Sequence, residues 1–487
     1  MIKLFRIIFA FVFSLLLFSC NENNLSSNPD YTLSFSCDTL VFDTLFTGQS
    51  SATKTLMIYN NNNYALLIDK VKMAGGEDSY FRFNVDGRIA SDEGELTDIT
   101  IKGNDSLFVF IEMTPPVTDD YESVITMDSL IFQCNGNTSN VKLLSISENA
   151  IVLENYSLTS STTFTSLRPY LVFGYLHVPE GMKLTVAEGT IIHMHGDANI
   201  IVDGELETLG TYTSPVVIRG DRYDYVNDVN STPYDYMPNQ WGGIYLQNSQ
   251  ANHTIENTNI RGGGIGIVLI GAARSTPTLT LRNSVVHTMG YYGIYAQQAN
   301  LQVYNSEISN CGTSCITMVG GEAHLAHTTI ANYYAFATRT GASFVATNYV
   351  TSNNVAYAYP ITSLVVENSI IFGANATEIE LLQDSTSTTD FNLLFSNTLI
   401  KSAMINSPQF VDCVWALSQN TTSGQDTVFV NTSITNISET GYYNFRLADN
   451  SQAQDLGNVS VAELYPLDLD GTNRNSDRKP DLGAYEK

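Results

Sequence analysis

The sequence predicts an all-β chain, an N-terminal β-sandwich followed by a parallel β-helix, and three observations predict it. The composition is rich in Asn, Ser, Thr and Gly and poor in Lys, and no long Ala/Leu/Glu/Lys stretch of helical character occurs. Short alternating strands at sandwich spacing fill residues 31–148. From about 150 to 440 the chain repeats itself, with Asn257, Asn283, Asn305 and Asn368 in equivalent places.

The elements follow in chain order. Lys3 and Arg6 precede an apolar run from Ile7 to Phe18. That run is too short to cross a bilayer, which takes roughly 20 residues, and it fits the apolar centre of a secretory signal. It ends in Leu17-Phe18-Ser19-Cys20, which resembles the bacterial lipobox. The resemblance implies cleavage before Cys20, lipidation of its thiol and attachment to a membrane through that lipid. Residues 1–19 then form the signal peptide and residues 20–30 a lipidated, flexible tether. No Asp stands at the second position after Cys20, so an outer-membrane address is expected, on the periplasmic or the cell-surface face.

The sandwich is expected over residues 31–148. Its strands include Thr39-Leu40-Val41-Phe42, Lys54 to Tyr59, Leu66 to Val71, Asp98 to Ile101 and Ser106 to Ile111. Asn60 to Asn63 makes a polar turn, and Thr114-Pro115-Pro116 ends a strand that proline could not continue. This order resembles immunoglobulin-like modules of the major-sperm-protein and ASH type, which implies a spacer or protein-binding role. Six cysteines include Cys20. The remaining five leave at least one thiol free or paired elsewhere. Cys37 and Cys134 could bridge the ends of the sandwich, whereas Cys311 and Cys315 read as small residues packed inside a coil.

Residues 150–440 are expected to be stacked coils. Leu279 to Val286, Leu301 to Ile308 and Leu364 to Ile371 align around their asparagines, and His327 takes the same place in Ala323 to Ile330. The spacings are 26, 22, 22 and 41, the last read as two coils. Alternate residues face inward. Asn at the repeated bend can adopt the left-handed conformation and bond its stacked neighbour, forming a ladder. One coil cannot hide its own apolar side, so coils stack at ~4.8 Å, on the order of 12 of them in a rod of ~60 Å. The stretch Val178-Pro179-Glu180-Gly181 through Glu188-Gly189-Thr190, Asp203-Gly204-Glu205 and Ser214-Pro215-Val216 resembles the opening coils of right-handed parallel β-helices in the pectate-lyase-like superfamily. The closing Asp468-Leu469-Asp470-Gly471 and Asp481-Leu482-Gly483-Ala484-Tyr485-Glu486 resembles the ending of many such surface proteins, and residues 441–487 are expected to cap or dock the helix. The whole arrangement resembles Bacteroidetes-like surface lipoproteins.

Charge limits the function. The chain holds 23 basic and 49 acidic residues, net −26. Loss of residues 1–19 would remove two basic residues and make it −28. A nucleic-acid partner is excluded, since such proteins need basic patches. Lyases of this superfamily need a Lys or Arg base beside acidic Ca²⁺ ligands, and its glycosidases need convergent carboxylates. Neither signature matches.

The candidate ligand-binding residues lie in a long insertion after Arg219: Asp221, Tyr223, Asp224, Tyr225, Asp228, Tyr234, Asp235, Tyr236 and Trp241. Tyr and Trp can stack on sugar faces while Asp accepts hydroxyls or ligates a hard cation. A self-packed loop anchored by Trp241 fits the same residues. His193 and His195 read as an ordinary solvated face. Tyr291, Tyr292, Tyr333 and Tyr334 could form an aromatic strip, and Asp468, Asp470, Asp477 and Asp481 a turn able to hold Ca²⁺. No cofactor is required, and Ca²⁺ is the one ion the acidic clusters would take. The preferred reading is a non-enzymatic envelope protein that binds glycan or a surface protein. The alternative is a polysaccharide lyase or glycoside hydrolase with chemistry at the insertion's Asp residues.

Overall fold

A computed structural model describes residues 24–91, 94–117, 123–226, 232–248, 250–271, 276, 278–353, 355–384, 388–416, 428–434, 442–476 and 479–487. Cys20, Asp228 and Asp477 lie outside the described residues. The chain is all-β in two compact units, residues 1–150 and 151–487.

The first unit is a sandwich of two five-stranded sheets. Strand Lys54–Asn60 pairs with Asp105–Met113, and Leu66–Met73 with Glu95–Ile101. Inward residues of both sheets, among them Leu56, Ile58, Ile68, Val109 and Phe132, share one core. Residues 24–30 depart from the tether expectation. Ala65 exchanges backbone bonds with Asn24 and Ser26, while the amides of Asn135 and Asn137 donate to carbonyls at Asn28 and Pro29. Those bonds hold the segment on the sandwich. Cys37 and Cys134 are both free thiols, as are Cys311, Cys315 and Cys413.

The second unit is a right-handed parallel β-helix with three parallel sheets. One row of inward residues runs Ile151, Tyr170, Ile192, Ile218, Ile260, Val286, Ile308, Ile330, Ile371, Ile400 and Trp415. A second passes through Leu176, Ile200, Ile244 and Ile267, and a third through Val186, Thr208, Ile255 and Leu281. These residues merge into one continuous core. Each fully buried Ile contributes roughly 1.5–3 kcal/mol, which a lone coil would leave exposed to water. The ten steps of the first row span about 48 Å at ~4.8 Å each.

The 41-residue spacing is one coil, not two. His327 and Asn368 bond directly at 3.0 Å, and Leu325 stacks on Val366. The extra residues leave the stack as an excursion carrying the antiparallel hairpin Tyr349–Ser352 with Val355–Ala358. Among the described residues the last strand of the stack is Val414–Ala416.

The repeated asparagines all stand in the left-handed region, with φ of 44° at Asn257, 49° at Asn283, 48° at Asn305 and 47° at Asn368. His327 (49°), Asn397 (43°) and Asp412 (51°) continue the row. Asn305 Nδ2 donates to Asn283 Oδ1 at 2.9 Å. Asn257 donates instead to the Gly210 carbonyl. Beside this row runs a second, of buried hydroxyls. The Ser284 amide donates to Ser306 Oγ, and the Thr328 amide to Ser369 Oγ.

The final segment docks on this flank. Arg474 is fully buried, donating to Asn305 Oδ1 at 2.6 Å and pairing with Glu486 at 3.2 Å. Tyr485 donates to the buried Glu307, and the Ala484 amide to Thr329. Asp468 accepts from the amides of Asp470, Thr472 and Glu486, so its carboxylate organises the turn itself.

Replacing Asn305 with Ala should cost about 3 kcal/mol, read as a lower urea midpoint. It leaves the left-handed bend without the polar side chain that lets asparagine adopt it, costing roughly 1–2 kcal/mol, and strips an acceptor from a buried guanidinium. Asn305→Gly keeps the backbone and should be destabilised less. Equal losses in the two variants would show that the bend's conformation contributes nothing.

Candidate functional site

The insertion after Arg219 is folded onto itself by charge pairs. Arg219 is buried and reaches Asp235 at 3.1 Å, and Arg261 grips both oxygens of Asp235 at 2.7 and 3.1 Å. Arg222 forks onto Asp224 and lies 3.5 Å over the Tyr234 ring, while Arg219 lies 4.1 Å over Tyr223. Asp221 pairs with His195 at 2.6 Å. Thus Asp221, Tyr223, Asp224, Tyr234 and Asp235 are brought together, chiefly around cations of the chain itself. Trp241 is buried in the helix core and donates its indole N–H to the Arg261 carbonyl, so its ring is not a platform for a sugar. Tyr236 packs on Tyr442 at 4.4 Å. Tyr225 alone of the insertion's described aromatics is largely exposed, at 49%, and in the candidate aromatic strip Tyr291 is exposed too.

His193 departs from the solvated face expected of it. It is fully buried, with Tyr223 Oη 3.3 Å from its Nε2. Burial, then the charge of Arg219, pushes its imidazole down to about 3. Burial and Arg261 do the same to His287, also to about 3. Burial alone would raise the Asp235 carboxyl, but the hydrogen bonds and charge of Arg261, with Arg219, hold it below its ordinary value. The cluster therefore keeps one carboxylate ionised between two guanidiniums and two neutral imidazoles.

Two hydroxyl–imidazole–carboxylate chains cross the stack elsewhere, and the sequence reading missed both. Ser157 Oγ is 3.0 Å from His177 Nδ1, and His177 Nε2 is 2.9 Å from Asp203. In acyl transfer such a chain works together with oxyanion donors that stabilise the developing charge; here it ties three successive coils together. The second, Tyr304–His324–Glu367, has distances of 3.4 and 2.7 Å.

That second chain borders a groove of about 360 Å³ lined by Gln302, Glu322, Ala323, His324, Ser363, Val365 and Glu367. The volume lies within the roughly 300–1,000 Å³ of small-molecule sites. The register explains the assembly: Gln302, His324 and Val365 stack as one outward row, while Tyr304, Ala326 and Glu367 stack as the next. Tyr465 from the final segment stacks on Tyr304 at 4.8 Å, at the Glu367 end. Asn300 and Thr362 donate to the two oxygens of Glu322 at 2.9 and 3.1 Å. The sequence carried a signal for this wall. The residues just before successive bends are Glu256, Arg282, Tyr304, Ala326 and Glu367, four of them polar or aromatic and one a small alanine. Among the described residues, no group of three or more His, Cys, Asp or Glu side chains is placed to hold a metal ion.

A family model described as the right-handed β-helix region matches residues 242–454. No curated protein matches the chain. Among solved structures, similarity extends to the catalytic unit of a thermostable GH87 α-1,3-glucanase from Streptomyces thermodiastaticus, at 9% identity and TM-score 0.26, over 74% of this chain and 87% of that one. Dex49A from Penicillium minioluteum is 11% identical with TM-score 0.18, over 76% and 72%. A family 123 glycoside hydrolase from Clostridium perfringens is 8% identical with TM-score 0.19, over 25% of this chain, which spans only 30% of that one's length. TM-scores this low carry no argument about activity.

The buried imidazoles make stability depend on pH. Their folded values lie below the unfolded value near 6.5. Their full contribution is therefore present above about pH 6.5 and is lost as pH falls toward 3. At pH 5 each should cost on the order of 2 kcal/mol. Urea midpoints measured from pH 7.5 to 4.5 should fall, and His287→Gln should flatten the slope; an unchanged slope would remove His287 as a cause.

Proposed function

We propose that this protein is an envelope lipoprotein, anchored through Cys20 at the outer membrane, whose β-helix binds a polysaccharide without cleaving it. The immunoglobulin-like sandwich serves as a spacer and no cofactor is needed. The observation that supports the reading is the convergence of polar side chains from neighbouring coils on one groove. In the insertion, Asp221, Asp224 and Asp235 are each paired with a His or Arg of the chain, as Glu367 is with His324 in the groove. In the groove, Gln302, Glu322, His324 and Glu367 converge on open space from neighbouring coils. Polar groups that fix orientation beside an aromatic pair are what a sugar chain requires.

A second reading, hydrolysis in the same groove, has one observation in its favour: Glu322 and Glu367 both line it, and glycosidases work with paired carboxylates. Isothermal titration of the purified chain against soluble polysaccharides separates the two. Binding without release of new reducing ends is expected, and His324→Ala should weaken it about tenfold, or ~1.4 kcal/mol. Reducing ends that appear with the native chain and vanish in Glu367→Gln would replace binding with catalysis. Full affinity in His324→Ala would move the site elsewhere.

A further inference from the structure

The hydrogen-bonding inventory of the groove is lopsided. Ionised carboxylates only accept hydrogen bonds, and Glu322 and Glu367 both face the space. Gln302 spends one amide hydrogen on Asn300 Oδ1 at 2.7 Å, and its carbonyl accepts from Tyr304. His324 Nε2 is held on Glu367 at 2.7 Å. The lining residues include no Lys or Arg. The nearest cation in the wall, Arg282, sits one coil below Tyr304 and is paired with Glu256 at 2.6 Å. With the Ser363 hydroxyl as an added donor, the groove still offers more acceptors than donors together with negative charge, within a chain of net −26.

From this we infer that the groove takes an uncharged, hydroxyl-rich glycan and rejects polyuronates, an inference that rests on reading the groove as a glycan site. Asn300, Thr362 and His324 occupy part of the acceptor capacity of Glu322 and Glu367, and sugar hydroxyls can donate to the lone pairs that remain. A uronate carboxylate brings a third acceptor and a third negative charge to the same space, and like-charge juxtaposition in a partly desolvated site is strongly unfavourable. Specificity here is set by what the groove repels as much as by what it holds.

The test uses the full mature chain and two sets of probes, laminarin, dextran and xylan as uncharged glycans, polygalacturonate and alginate as anionic ones. At least one uncharged glycan should bind, with each polyuronate about tenfold weaker or more at low ionic strength, and the gap should narrow as salt rises. The double variant Glu322→Gln, Glu367→Gln removes the charge and adds amide donors. It should gain affinity for polygalacturonate by about tenfold, with an unchanged urea midpoint reporting an intact fold. Polyuronate binding equal to or tighter than that of every uncharged glycan overturns the inference while leaving a glycan site in place. Polyuronate binding unmoved by the double variant also overturns it. Failure of all five probes to bind removes the glycan reading and this inference with it.

Discussion

The constraint on which the second unit depends is register between coils. Each turn of chain carries too little apolar surface to bury alone, so Ile192 is protected only if Ile218 sits directly over it, and Ile218 only if Ile260 does. A slip of one residue would turn the whole inward set to water. The bends enforce the register. At Asn257, Asn283, Asn305, His327, Asn368 and Asn397 the backbone is left-handed, and the buried hydroxyl that follows accepts or donates along the stack. His327 shows which property matters. It is not asparagine, yet it adopts the same φ and bonds Asn368 through Nε2.

The same constraint decides where the chain is free to vary. Inward rows are fixed by packing, and outward rows are not, so chemistry collects on outward rows and in excursions between strands. The excursion after Arg219 leaves at Gly220, where an added β-carbon would meet Gln240 at 2.6 Å, and returns through Trp241, whose indole re-enters the core. Between those points it is stabilised by charge rather than by apolar area. Breaking that pairing would leave buried cations without partners, which is costly. The final segment follows the same logic. Arg474 is buried because Asn305 and Glu486 both receive it.

The fold was legible because its signals are periodic. Asparagines recurring at about one coil, alternating strands and Gly-rich bends each report one physical requirement repeated many times. The single miscount came where period failed: the step from His327 to Asn368 contains a hairpin, and length alone cannot tell one interrupted coil from two whole ones. The candidate site was less legible for a related reason. Asp221, Tyr223, Asp224, Tyr234 and Asp235 are close in sequence and share Arg219 and Arg222 nearby, but His195, which pairs Asp221, and Arg261, which grips Asp235, lie well outside the stretch. Glu322 and Glu367 are the converse case. They are 45 positions apart in the sequence, and only the stacking of one coil on the next puts them on one groove.

Stacked coils also explain why a groove of this kind suits a ligand held without motion. Gln302, His324 and Val365 sit on three successive rungs whose spacing is set by backbone hydrogen bonds, and Tyr304 is further pinned by Tyr465 and by Gln302. Side chains fixed before a ligand arrives lose little freedom on binding, so a few polar contacts retain more of their interaction energy. In the insertion Asp235 neutralises Arg219 and Arg261, whereas on the stacked coils Glu322 accepts from Asn300 and Thr362 and Glu367 holds His324. Placement on the stack or in an excursion, rather than the number of acidic or aromatic residues, decides which partners these carboxylates meet.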